Sequence, residues 1–146
     1  MEKIASFQKD HDKLQPGLYA QTDKNLITTF DLRFKKPNSG DYITPKALHT
    51  IEHLLATVLR NSEKKDDIVY FGPMGCRTGF YLLTLRLSFN EVLSLLKESI
   101  KTALTLEEVP GSKREECGNY LEHDLAAAKE ELTNYLHILD GVEAHS

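Results

Sequence analysis

Residues 44–61 carry the feature that constrains this chain most: one amphipathic segment with both of its faces already committed. Thr44 is a favoured helix N-cap, and Pro45 follows at the first helical position, where its missing N–H is not needed. The helix is expected to run to about Asn61. At about 100° per residue, Ala47, Leu48, Ile51, Leu54, Leu55, Val58 and Leu59 gather on one side. His49, Glu52 and His53 fall on the other side. The apolar side must pack on a core. The histidine side must find cover from a second layer or from another chain.

The remaining elements follow from period and punctuation. Phe30, Leu32 and Phe34 alternate with Asp31 and Arg33, the period of two of a half-buried strand over 26–34. Residues 18–21 can pair with it through a turn near Asp23-Lys24-Asn25. A short strand is expected at 68–71, a glycine-rich loop at 72–79 and another strand at 79–87. Ser88-Phe89-Asn90-Glu91 is a capping box opening a helix with Val92, Leu96, Ile100 and Leu104, which Pro110-Gly111 stops. A last helix is expected to begin just after Cys117, to carry Leu121, Leu125, Leu132, Leu136 and Leu139, and to end near Gly141. Strands and helices do not alternate strictly. The expectation is an α+β fold, a single domain over 1–146 with an antiparallel sheet packed against helices.

Charge and apolar content exclude several classes of function. The net charge is −4, and the basic residues are scattered, Lys64-Lys65 being followed at once by Asp66-Asp67. That disfavours nucleic acid or an anionic membrane as partner. The most apolar stretch, 80–87, is too short to span a bilayer and contains Arg86. The first residues lack the apolar core of a secretory signal, so the two cysteines are read as reduced thiols of a cytoplasmic protein.

The chemistry centres on His49-Thr50-Ile51-Glu52-His53. Imidazoles at i and i+4 can reach one ion together, and Glu52 lies beside them in the H-x-x-E-H order of inverzincins. Taken alone, the pattern also fits a solvated polar face. Cys117 is read at the start of a helix, where backbone N–H groups favour a thiolate. Two histidines and one cysteine make a three-ligand site with a position left open, as in catalysis. The alternative is that Cys117 is a small buried apolar residue. His123 and Asp124 are candidates for supporting the ligands. Cys76 sits in Phe71-Gly72-Pro73-Met74-Gly75-Cys76-Arg77-Thr78-Gly79, a loop whose glycines allow tight turns and close approach to a ligand. A thiol held there can act as acid or base, or can be inert.

Taken together, these residues resemble the S-ribosylhomocysteine lyases, the LuxS proteins of autoinducer-2 synthesis. The resemblance rests on Ser6-Phe7 with His11, Phe30-Asp31-Leu32-Arg33-Phe34, His49-Thr50-Ile51-Glu52-His53-Leu54-Leu55-Ala56, Pro73-Met74-Gly75-Cys76, and Cys117-Gly118 with His123-Asp124-Leu125. The segments occur in the family's order across nearly the whole chain. The resemblance implies metal ligands His49, His53 and Cys117, with Fe(II) as native ion and zinc as a common substitute. It implies an acid/base pair of Cys76 and Glu52, and substrate contacts from Ser6, His11 and Arg33. It further implies a homodimer with active sites at the subunit interface. Family members often carry an acidic residue six positions before the loop cysteine, where this chain has Tyr70, and the stretch between Pro16 and Leu26 is shorter than in some members.

The reaction so implied cleaves the thioether of S-ribosylhomocysteine to homocysteine and 4,5-dihydroxy-2,3-pentanedione, through two enediol shifts and a β-elimination. Two other readings compete. A metallopeptidase of the inverzincin type would not need Cys76. A metal- or sugar-binding module would release no thiol.

Overall fold

Turn and cap chemistry fix where each element starts. The computed structural model describes residues 1, 3–4 and 8–145. Strands β1 (Gly17–Thr22) and β2 (Ile27–Arg33) form a hairpin. In its turn Asp23 Oδ1 accepts from the N–H groups of Asn25, at 2.8 Å, and Ile27, at 3.1 Å. This side-chain mimic of a backbone turn reverses the chain. Helix α1 (Pro45–Arg60) starts as expected, with Thr44 Oγ1 accepting from the N–H of Ala47. Strands β3 (Ile68–Pro73) and β4 (Gly79–Leu85) form a second hairpin. The reciprocal capping box of Ser88 and Glu91 opens α2 (Phe89–Leu104), and Asp124 caps α3 (Leu125–Asp140).

The four strands form one sheet in the order β1-β2-β4-β3, each neighbouring pair antiparallel. Its pleat divides residues between two faces. Phe30, Leu32, Phe71, Phe80 and Leu82 are buried on one face, in one core with Ile51, Leu54 and Leu55 of α1, Val92 and Leu96 of α2, and Leu132 and Tyr135 of α3. The register aligns Tyr19, Asp31, Tyr81 and Gly72 on the opposite face, with Ile27 and Leu85 paired further along. The expected α+β fold is therefore observed.

Several boundaries differ from the sequence expectation, β4 stopping at Leu85 rather than at 87 among them, and three shape the segments around the site. β3 runs through Pro73, leaving the cysteine loop only residues 74–78. α2 ends at Leu104, well before Pro110-Gly111, where Thr105 folds back to bond the Thr102 carbonyl. The third difference is a correction that bears on the site. α3 starts at Leu125, not just after Cys117, because the Asp124 side chain accepts from the N–H of Ala127. Cys117 lies in an irregular turn, its own N–H donated to the Lys113 carbonyl at 3.0 Å. A helix dipole therefore does not act on its sulfur.

Tyr135 ties α3 to the sheet. It is fully buried, its ring stacks on Phe34 at 4.0 Å, and its hydroxyl donates to the Gly17 carbonyl at 2.8 Å. Burial, reinforced by Asp31 and Tyr19, pushes the phenol well above its usual range, so it remains a donor. Tyr135→Phe is expected to cost about 1 kcal/mol, read as a fall of roughly 3 °C in Tm by thermal unfolding. An unchanged Tm would show that this bond contributes nothing.

Candidate metal centre

α1 carries Ala47, Ile51, Leu54, Leu55 and Leu59 into the core, which turns His49 and His53 away from it. The segment between α2 and α3 covers them, so the second layer comes from the chain itself. His49 Nδ1 lies 2.9 Å from the Glu122 carbonyl oxygen, and His53 Nδ1 lies 2.9 Å from that of Pro110. A carbonyl can only accept, so each Nδ1 must carry the proton. In the neutral form of each ring, Nε2 is left with a bare lone pair. The two Nε2 atoms then face each other at 3.1 Å. Gly111 makes the approach possible. It has φ +68°, and a Cβ there would lie 3.3 Å from His53 Nδ1. Glycine meets both the left-handed backbone and the lack of space.

Two further donors complete the group. Cys117 Sγ lies 3.5 Å from His49 Nε2, 3.8 Å from His53 Nε2 and 3.8 Å from His123 Nε2. The ligand atoms of His49, His53, Cys117 and His123 all lie within 4.8 Å of one another. His123 stacks on His49 at 4.2 Å, and its Nδ1 lies 3.0 Å from Thr50 Oγ1. That hydroxyl also accepts from the N–H of Asp124 at 2.9 Å, so one side chain of α1 holds the start of α3 and the His123 ring together. Burial, then the neighbouring His49 and His53, push the His123 pKa below the usual imidazole value, so the ring is held neutral.

The donor set fits a divalent transition metal. Two lone pairs at 3.1 Å repel unless a cation lies between them. A tetrahedral site with ordinary bond lengths needs N···N of about 3.3 Å and N···S of about 3.6 Å. The separations here are close to both. Imidazole with thiolate suits zinc and iron and suits calcium or magnesium poorly.

The expected acid/base residues make no described hydrogen bond to this cluster. Glu52 is half-buried on α1 beside His53, and its carboxylate has no hydrogen bond or ion pair among the described residues. Cys76 is exposed in the loop between β3 and β4, its Sγ 3.0 Å from Thr78 Oγ1. No described hydrogen bond joins it to the metal cluster. The loop is fastened to the root of α1 by two bonds, Ile43 N–H to the Arg77 carbonyl and Arg77 Nη1 to the Ile43 carbonyl, each 3.0 Å. Of the expected substrate contacts, Ser6 lies outside the described residues. His11 is half-buried, its Nδ1 3.0 Å from the Lys9 carbonyl, which fixes the proton there. Arg33 is 1% exposed, with its guanidinium held by Asp31 and Thr78.

The family model described as S-Ribosylhomocysteinase (LuxS) matches residues 4–145. A relative from Borreliella afzelii, named S-ribosylhomocysteine lyase, is 46% identical over 98% of this chain and 96% of its own length. Proteins of the same name from Phocaeicola vulgatus and Finegoldia magna are 46% and 40% identical, over 94% and 98% of this chain and 89% and 95% of their own lengths. The chain belongs to the S-ribosylhomocysteinase (LuxS) family. In this LuxS chain the sequence pointed to His49, His53 and Cys117 together, but not to the carbonyls of Pro110 and Glu122 that orient the rings. Backbone atoms leave no trace in residue identity. Thr50 went unread because a threonine inside a helix has no distinguishing spacing.

Binding to the folded state alone stabilises it. Adding Zn(II) to metal-free protein at about a hundred times its Kd is expected to raise stability by about 2.7 kcal/mol, seen as a higher Tm by calorimetry. An unmoved Tm at saturating metal would count against the cluster as an ion site.

Proposed function

We propose that this chain is an S-ribosylhomocysteine lyase, releasing homocysteine and 4,5-dihydroxy-2,3-pentanedione, the precursor of autoinducer-2. The observation that carries the reading is the convergence of His49, His53 and Cys117 in a chain of this family. These three side chains are the ligands of one divalent ion, Fe(II) natively and zinc as a substitute. His123 belongs to the same group of donors, its ring fastened by Thr50. An ion held there would supply a Lewis acid that eases the build-up of negative charge on the substrate's oxygens.

The chain's own residues move the protons. The thioether carbon lies too far from the sugar carbonyl for direct elimination, so the carbonyl must migrate. Cys76, as thiolate, takes the proton from the carbon beside the carbonyl and returns it to the neighbouring carbon. Glu52 moves protons between the oxygens, a task suited to a half-buried carboxylate with no other described partner. After two such shifts the sulfur is β to the carbonyl. Removal of the α proton then expels homocysteine. Substrate binding is assigned to Ser6, His11 and Arg33.

The protein works as a homodimer with its active sites at the interface. Support comes from the sheet face opposite the helices, where Tyr70 is 50% and Tyr19 37% exposed. Half-buried Ile27, Leu83 and Leu85 continue that face. Such an apolar surface suits a second copy of the chain. No described helix is long and apolar enough to cross a membrane, and both cysteines are free thiols. We place the reaction in the cytoplasm.

The direct test is to incubate metal-loaded protein with S-ribosylhomocysteine and titrate the free thiol; no release from fully loaded protein would overturn the proposal. Cys76→Ala is expected to keep its metal and lose turnover by roughly 10²–10⁴. Near-normal elimination in that variant would reject the base. His49→Ala is expected to lose metal and activity together, measured by elemental analysis beside the thiol assay. An active, metal-replete variant would reject the ligand set.

A further inference from the structure

A continuous polar string runs from the N-terminal segment to the reactive thiol. Lys9 Nζ lies 2.6 Å from Asp31 Oδ2. Asp31 accepts from Arg33 twice, from Nε at 3.1 Å and from Nη2 at 2.7 Å. Arg33 Nη1 lies 2.8 Å from Thr78 Oγ1, and Thr78 Oγ1 lies 3.0 Å from Cys76 Sγ. We infer that Thr78 is a positioning residue, donating its hydroxyl hydrogen to the Cys76 sulfur and thereby holding an oriented thiolate. The inference rests on Cys76 being the proton acceptor of the proposed function.

The direction of each bond follows from what each group can do. A guanidinium has donors and no acceptor, so the Thr78 oxygen must accept from Arg33. With Cys76 as thiolate, which has no hydrogen to give, the Thr78 hydroxyl donates its own to the sulfur. Thr78, Asp31 and Arg33 are each 1% exposed, so water does not compete along the buried part of the string, while Cys76 at its end is open. Charge points the same way. Lys9 and Arg33 carry two positive charges against one carboxylate, and a thiolate at the far end restores balance. The backbone leaves Thr78 little freedom, since its carbonyl accepts from Phe34 at 2.9 Å and Lys35 at 3.0 Å.

Thr78 keeps its proton throughout. When the thiolate takes a carbon proton, a sulfur lone pair becomes the S–H bond and the hydroxyl contact weakens. When the proton passes to the neighbouring carbon, the contact re-forms. Without the hydroxyl the sulfur loses both a charge-assisted partner and its aim.

The test compares metal-loaded full-length protein with Thr78→Val and Thr78→Ser, scoring carbamidomethylation of the Cys76 peptide by iodoacetamide at one neutral pH. Thr78→Val is expected to slow modification roughly tenfold or more. It should lower kcat similarly with KM and metal content kept, and Thr78→Ser should restore both rates. Modification of Thr78→Val at the wild-type rate, or no rescue by serine, overturns the inference. If the valine variant does not fold, Thr78→Ala against Thr78→Ser makes the same comparison, differing by one oxygen. If Cys76→Ala turns over normally while Thr78→Val still slows modification, the hydroxyl contact stands and the assignment of Cys76 as base falls.

Discussion

Two imidazole–carbonyl hydrogen bonds govern this molecule. Because the carbonyls of Pro110 and Glu122 can only accept, they decide which nitrogen of His53 and His49 carries its proton. The unprotonated nitrogens are thereby forced toward each other, an arrangement that is unfavourable without a cation. Much of the chain serves this outcome. The apolar side of α1 fixes the direction in which the two rings leave the helix. The irregular segment between α2 and α3 delivers both carbonyls, the Cys117 sulfur and the His123 ring. Thr50 binds the far end of that segment back to α1.

The second chemical group is built by different means. The metal cluster joins a helix to an irregular segment. The thiol group occupies the outer side of a sheet and a five-residue turn, where the buried pair of Asp31 and Arg33 supplies charge. A buried ion pair is a weak source of net stability, because desolvation offsets much of its attraction. Its presence one hydroxyl away from the reactive sulfur gives it a chemical use. The paired bonds between Ile43 and Arg77 hold the thiol hairpin against the entry of the metal helix. Arg77 itself adopts φ 60°, a conformation disfavoured for a side chain with a Cβ.

Most of the fold was legible in the sequence, because period and punctuation are local properties. The alternation around Phe30, the proline after Thr44 and the capping box at Ser88 each act within a few residues. The start of α3 was misplaced because Leu121 extends the helical spacing of Leu125 and Leu132, although the Asp124 cap begins the helix later. That leucine is 72% exposed. Within the site, residue types that bind metals announced themselves. The polar string did not, since Asp31 and Arg33 read equally well as the solvent side of a half-buried strand. Only the fold shows that both are covered and that the fork of Arg33 ends on Thr78.

β2 does two jobs through a period of two. Phe30 and Leu32 face the helices, while Asp31 and Arg33 face the other way, between the partners Tyr81 and Gly79 of β4. Parity alone separates the apolar core from the charged string. An insertion or deletion of one residue in this strand would drive a guanidinium into the oil and strand Phe30 and Leu32 outside it. Loop lengths around the molecule can drift during evolution, but the count of residues between Ile27 and Arg33 is held by two demands at once.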